Sequence, residues 1–449
     1  MKEPKRTNRR KFLKASAIGT AAMMTPFAMP AKSYNRILGA NDTIRVALLG
    51  CNRRFGALAD SLAKVGGAKI TYVCDVDARR QERAVGRVKE LTGEAPTPEK
   101  DLRKIVEQED VDAVFVATPD HWHAAATWMA LQNGKHVYVE KPCSHNPREG
   151  ELLVAYQKEY GKVVQMGNQQ RSSLESQEIM KEIHEGAIGD VYHAIAFYSN
   201  ARGRVPAAKK VAPPDFLDWE LFQGPAPRTQ FINILEDYMW HWFWTWGTGE
   251  TGNNATHELD VARWALGVTY PEAAWVNAGK YHFVDDPWTM YDTMEASFVF
   301  PGGKLIKWDG KSRNGYQTYG SDRGTLVYGS EGSVSINRNG YTLYDRDGKT
   351  VRERKAGEIN VTTGLGGGGG LTDLHVHNFL ETIRGKDELR APIDEGSIST
   401  HLTHYANISY KMGNARLEID PKTGRLKDKK AMKAHWGREY EKGWEPPRV

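Results

Sequence analysis

Residues 44–75 read IRVALLGCNRRFGALADSLAKVGGAKITYVCD, and the reading of this stretch decides the fold. IRVALLG is a short apolar run without polar alternation, the pattern of a strand covered on both faces. FGALADSLAKV spaces its apolar residues as a helix does, and AKITYVCD is a second apolar run. Strand, helix and strand in that order predict a parallel unit with a right-handed crossover. The alternation continues. Helices are expected from Arg79 to about Thr92 and from Lys100 to Gln108, and VDAVFVAT and KHVYVE read as strands around the helix HAAATWMALQNG. REGELLVAYQKEYG then leads into KVVQMGN. The prediction is an α/β chain whose first domain, residues 43–167, is a doubly wound parallel sheet of the dinucleotide-binding type.

After about Gly167 the pattern changes. VYHAIAFYSN, EAAWVNAGKYHF, MEASFVFPGGKLIKWDG and GTLVYGSEGSVSINRNGYTLYD are longer strands with glycine-rich turns, which favours antiparallel pairing. HELDVARWALG, DLHVHNFLETIRG and STHLTHYANISYKMG supply helices. Residues 168–449 are therefore expected to form an α/β domain on a large, open, mostly antiparallel sheet. GLGGGGGL at 364–371 reads as a flexible loop, with a lid as the alternative.

Composition narrows the partners. The chain has 449 residues, 40% hydrophobic and 26% charged, enough for two packed domains. Its formal charge is +5, but residues 1–34 hold eight Lys/Arg against one Asp/Glu, a net +7 that leaves −2 for the rest. That distribution gives no support to a nucleic-acid partner. The terminus, NRRKFLKASAIGTAAMMTPFAMPA, resembles a twin-arginine export signal with Arg9 and Arg10 paired, so residues 1–34 are expected to direct the protein to the periplasm. An ordinary basic tail is the alternative. The apolar stretch from Ala15 to Ala31 is too weak and broken for a stable membrane span. Cys51, Cys74 and Cys143 make no disulfide framework and no zinc spacing.

The candidate nucleotide residues follow the strand ends. Gly50 fits the tight turn of a dinucleotide fingerprint, while Asn52 stands where a second glycine is usual and Phe55 near the third. Asparagine tolerates left-handed backbone, so the turn survives on this reading. A pyrophosphate would rest on the helix amino end and on Arg53 or Arg54. Asp75 ends the second strand where a carboxylate accepts from an adenosine ribose, which favours NAD over NADP, although Arg79 and Arg80 keep the phosphorylated form open. In ATPDHWH, Thr118, Pro119 and His121 lie on the expected path from pyrophosphate to nicotinamide, and His123 reads as a helix-start residue. VEKPC places Glu140 and Lys141 at another strand end, and Pro142 biases Lys141 towards extended backbone.

Candidates for substrate contact come from three segments. GNQQRS offers Asn168, Gln169 and Arg171; YMWHWFWTWG offers Tyr238 and Trp240, the other aromatics reading as core; GNNATH offers Asn253 and His257. The pairs His375/His377 and His401/His404 fit helix faces without a carboxylate partner, so no metal is assigned.

Together VATPDHWHA, GKHVYVEKP and WTWGTGETGNNATHELDVARWALG resemble the Gfo/Idh/MocA family of glucose-fructose oxidoreductase, inositol dehydrogenase and their relatives. DWELFQGPAP is similar to a segment common in exported members of the Bacteroidetes type. The resemblance covers essentially the whole chain after residue 42. It implies NAD(P)-linked hydride transfer to or from a carbon of a sugar, polyol or glycoside, with Lys141 and His257 beside the reacting hydroxyl. It also implies a homo-oligomer packed through the open sheet. The family often carries an aspartate four residues before the histidine, and this chain has Asn253 there. The chemistry is consistent in itself: hydride leaves a carbon as a proton leaves its oxygen, which calls for a cation and a base. Two alternatives remain at this point, a redox-neutral glycosidase that oxidises, eliminates and re-reduces, and a non-catalytic carbohydrate binder.

Overall fold

The protein is described here by a computed structural model covering residues 43–235, 238–358 and 370–448. Residues 1–34, expected to be an export signal, and the glycine tract apart from its last two residues lie outside the described residues. Six strands form the first sheet: β1 (Ile44–Leu49), β2 (Ala68–Cys74), β3 (Thr97–Glu99), β4 (Ala113–Val116), β5 (His136–Val139) and β6 (Val164–Met166). Their order is β3-β2-β1-β4-β5-β6, and every pairing is parallel. The crossovers carry α1 (Arg53–Val65), α2 (Ala78–Thr92), α3 (Leu102–Val106), α4 (Asp120–Gln132) and α5 (Pro147–Tyr160). Layers on both faces bury all of β4, which is why its sequence AVFV shows no alternation. The strand order reverses between β1 and β4. A crevice therefore opens at their carboxyl ends, where sheets of this kind bind ligands.

The second sheet has ten strands on its main path and its branch: β7 (Val191–Ala201), β8 (Ala273–Gly279), β9 (Thr293–Val299), β10 (Leu305–Lys311), β11 (Arg313–Asn314), β12 (Arg323–Gly329), β13 (Gly332–Asn337), β14 (Gly340–Asp345), β15 (Thr350–Lys355) and β16 (Leu417–Glu418). All its pairings are antiparallel except β7 with β10. Burial alternates along β9, β10 and β13, so one face is packed and the other open. The remaining helices are α6 (Leu174–His184), α7 (Trp219–Gln223), α8 (Thr256–Leu266), α9 (Leu371–Ile383), α10 (Ile393–Lys411) and α11 (Lys429–His435). α8 and α10 cover the packed face, and Leu259, Ala262, Leu402 and Ala406 share one core with Phe298, Ile306 and Trp308 of the sheet.

The late chain also returns to the first layer. α9 packs on α1, and the amide of Met166 donates to Ala391 O at 3.0 Å. Trp444 meets Trp122 edge-on with centroids 5.1 Å apart. The three cysteines are buried and free.

Candidate active site

A cleft of about 470 Å3 occupies the crevice at the β1/β4 reversal. The wall along β1 and β2 is mostly main chain. Gly50 has φ +96°, and a Cβ there would sit 2.4 Å from Ala117 O, so both backbone and space require glycine. Asn52, in the place of the second glycine, has φ −94° and needs no left-handed tolerance, contrary to the reason the sequence suggested for it. Its side chain makes no cap, and the first turn of α1 holds no acidic residue. The helix amino end therefore presents uncapped N–H groups and a positive dipole to the cleft. Phe55 faces inward and is buried.

Asp75 lies in the same wall and accepts from the amides of Cys51 (2.8 Å) and Asp77 (2.9 Å), fixing both turns. Burial pushes its pKa up, against the pull of those amides and of Arg80. Arg79 and Arg80 are both held by Asp77, at 2.8 and 3.4 Å. Thr118 and Pro119 line the floor, and the buried Thr118 hydroxyl has no partner among the described residues. A pinched glycine turn, uncapped helix amides, an orphan hydroxyl and a ribose-height carboxylate fit a dinucleotide.

The facing wall is built from side chains. Lys141 donates to Asn253 O at 2.5 Å and to Asn253 Oδ1 at 3.0 Å. Burial brings its pKa down to about 8, partly offset by Glu140 and Asp120 and reinforced by Arg323 and Arg338. Asn253 sits in a one-turn π-helix, Thr251–Ala255, a widening often found at functional sites. Its Nδ2 donates to Tyr238 Oη at 3.1 Å and to Glu250 at 3.3 Å. Glu250 is fully buried and pairs with Arg202 at 2.7 Å. Burial and Glu250 push the Tyr238 hydroxyl up to about 12, so it stays a neutral donor. Tyr238, Trp240 and His241 line the cleft together, and the Arg53 guanidinium lies 4.3 Å from the Tyr238 ring centroid. Trp242, Phe243 and Trp246 belong to an aromatic core with Trp219 and Trp288.

Arg54 and His257 lie differently from the simplest expectation. Arg54 turns from the helix end to Glu140, at 2.6 Å, and to Thr372 Oγ1, at 3.2 Å. Burial alone would raise the Glu140 pKa, but Arg54 holds it below the ordinary value. Gln169 donates to the same carboxylate at 3.2 Å and to Tyr138 Oη at 2.8 Å. Beyond Arg54 is a separate cavity of about 80 Å3, lined by Gln169, Gln170, His257, Glu258, Arg338 and Thr372. The structure thus places Lys141 and His257 in adjoining cavities rather than in one, with Arg54 in the wall of both. Burial keeps the His257 ring neutral, reinforced by Arg338 and Lys141.

Besides Gln169 and His257, three more residues expected at the site lie away from the cleft lining. His121 is fully buried with Nε2 on Phe222 O at 2.8 Å, and burial brings its pKa down to about 3. Arg171 is spent on a two-point pair with Asp260 at 2.7 and 2.9 Å. Asn168 is buried behind the floor with neither side-chain amide atom partnered among the described residues. His123, read as a helix-start residue without a role, does lie in the first turn of α4 but also lines the cleft, one ring nitrogen on Pro142 O (2.7 Å) and the other on Thr118 O (2.8 Å). Two residues apart at the start of a helix, His121 and His123 point to different sides, and only the packing tells which side is the cleft. Asp120, Arg202, His241 and Phe222 also line the cleft, with the Asp120 carboxylate accepting from the Thr248 hydroxyl at 2.5 Å.

Two models of one family match the chain: the oxidoreductase family's NAD-binding Rossmann fold at residues 44–168 and its C-terminal alpha/beta domain at 221–413. The chain belongs to this Gfo/Idh/MocA oxidoreductase family, and its first sheet is an NAD-binding Rossmann domain. Among solved structures it is similar to the WlbA dehydrogenase from Bordetella pertussis in complex with NADH and UDP-GlcNAcA, with TM-score 0.61 and 20% identity over 84% of this chain and 99% of that one. A levoglucosan dehydrogenase in complex with NADH and levoglucosan gives TM-score 0.63 and 18% identity, covering 84% of this chain and all (100%) of that one. A glycosyl hydrolase family 109 protein of Saccharopolyspora erythraea is 30% identical over 209 residues, 42% of this chain and 45% of the relative. The chain thus spans about half the length of the curated relatives it matches. Among the described residues no helix is long and apolar enough to cross a membrane, and no group of three or more His, Cys, Asp or Glu is placed to hold a metal ion.

Proposed function

We propose that the protein transfers hydride between NAD(H) and a hydroxyl-bearing carbon of a sugar, polyol or glycoside, with Lys141 at the reacting oxygen. The observation that carries this is the half-buried Lys141 ammonium, lowered to about 8 and facing the dinucleotide cleft at the end of β5. The bound nicotinamide supplies the hydride acceptor or donor. The chain's own residues do the rest. Lys141 hydrogen-bonds the substrate oxygen and exchanges its proton at a pKa near working pH. Asn253 holds the amine in place, and the Arg202–Glu250 pair holds Asn253. Tyr238 and Trp240 offer aromatic faces and polar edges of the kind that sugar rings use. The carboxylates of Asp75 and Asp77 disfavour a 2'-phosphate and support NAD over NADP.

The test is the absorbance of the reduced nicotinamide band when purified protein, NAD and a sugar panel are mixed. Growth with at least one sugar supports the reading; no change with any sugar, in either direction and with an external acceptor present, contradicts it. A second reading, a redox-neutral glycosidase with retained NAD, is favoured by the similarity to the family 109 relative. It requires release of the aryl alcohol from an aryl glycoside without added NAD and without net change in that band. The Arg9-Arg10 pattern further supports export to the periplasm, which cell fractionation tests. The open face of the second sheet, with Tyr192 half-exposed on β7, supports self-association, which a sedimentation measurement tests.

A further inference from the structure

Behind the loop that carries Lys141 lies a second cavity of about 130 Å3, outside the cleft. His145 and Asn146 form one wall, four and five residues after Lys141. Trp244, Gly247 and Thr248 form another, and Asn407 and Lys411 near the end of α10 a third. The fourth runs from His435 to Arg438, beyond residue 413, where the family match ends. This last segment is strapped to the first layer: the amide of Arg148 donates to Trp436 O at 2.9 Å, and the Tyr440 hydroxyl to Glu149 at 2.8 Å.

Three buried donors of the lining residues lack acceptors among the described residues. Arg438 Nη2 pairs with Glu149 at 2.8 Å and donates to His121 O at 2.7 Å, while its buried Nε and Nη1 have no partner among the described residues. Asn146 is 5% exposed, and its Oδ1 caps α5 by accepting from the amide of Glu149, which fixes the amide's orientation. Its buried Nδ2 is then a third donor without an acceptor among the described residues. Lys411 stands at the mouth with its ammonium 4.2 Å from the Trp244 ring centroid. Three acceptors nearby are spent: Gly247 O on His145 (3.1 Å), Thr248 O on Asn407 Nδ2 (2.9 Å) and Asn407 Oδ1 on the Tyr291 hydroxyl (2.5 Å), while the lining also holds the imidazoles of His145, His404 and His435, the first two kept neutral by burial. No carboxylate is among the described lining residues, and Glu149 behind them already serves Arg438, Tyr440 and the His145 amide.

We propose that this cavity binds a small oxyanion of the phosphate or sulfate type, held by Arg438, Asn146 and Lys411. Buried donors without acceptors are costly. Water answers them singly, but the cations Lys411 and Arg438 favour an acceptor that is itself charged and has several oxygens. The site adjoins the cleft through Thr248, whose carbonyl faces the cavity side and whose hydroxyl holds Asp120.

The test is calorimetric titration of the full-length protein with inorganic phosphate, NAD being present to occupy the cleft and chloride holding ionic strength constant. Saturable binding is expected, weakened at least tenfold in Lys411→Gln and in Arg438→Gln. A parallel arm with glucose 6-phosphate distinguishes the source: tighter binding than phosphate makes the oxyanion part of a larger ligand, and equal or weaker binding makes it a free ion. Arg438→Gln also unpairs Glu149; if it does not fold, Lys411→Gln decides alone. No saturable heat with phosphate, or an affinity unchanged in Lys411→Gln, overturns the proposal.

Discussion

The two walls of the cleft are made of different materials. One, from Gly50 to Asp75 and at Thr118 and Pro119, acts through main chain: a pinched turn, helix amides and one carboxylate tied to two backbone N–H groups. The other is a mesh of side chains running from Lys141 through Asn253 to Tyr238, Glu250 and Arg202. The difference has a physical consequence. A main-chain wall tolerates a changed side chain wherever φ is ordinary and fails when its shape changes, whereas a side-chain wall keeps its shape and loses chemistry with one atom.

The largest effect that sharpens this contrast is expected from Lys141→Met. Turnover should fall by about 10²–10⁴-fold while fluorescence titration shows NADH affinity nearly unchanged. Loss of NADH binding in that variant would break the division between the walls. On the other side, Gly50→Val forces a branched side chain to φ +96° and into Ala117 O. It should abolish NADH binding and lower denaturant stability by roughly 2–4 kcal/mol.

A smaller effect concerns pH. On the proposed reading the neutral Lys141 amine takes up the substrate proton, so with its pKa at about 8 sugar oxidation should rise through about pH 8 and fall below it. Asn253→Asp puts a negative charge beside the ammonium, stabilises it and should move that midpoint up by about one unit. A rate profile whose midpoint stays put would separate Lys141 from proton transfer. The smallest effect is expected from Asn52→Gly: because Asn52 has φ −94°, NADH affinity should stay within a few-fold, with stability changed by no more than about 1 kcal/mol.

What the sequence disclosed follows the same division. Strands β1, β4 and β5 were legible because burial on both faces leaves apolar runs broken only by Arg45 in β1 and His136 at the start of β5, but β3, the three residues Thr97–Glu99, has no apolar signature and is a strand only because β2 offers it an edge. Lys141 was legible from its place between a strand and a proline. His123 was not, since the sequence gives its helix but not the side of that helix that meets the cleft. Arg54 and Arg171 have the composition of ligand-binding arginines, yet their partners Glu140 and Asp260 lie 86 and 89 residues further along the chain. Pairings of that range are fixed by tertiary packing, and so is the Arg54 partition that sets His257 in a cavity of its own.

The most direct test is a crystal structure of the protein with NADH. The expected result is dinucleotide density with the pyrophosphate at the amino end of α1, the adenosine ribose at Asp75 and the nicotinamide at the Lys141 end of the cleft. Clear density with the nicotinamide anywhere else, or a cleft without density at saturating NADH, would contradict it.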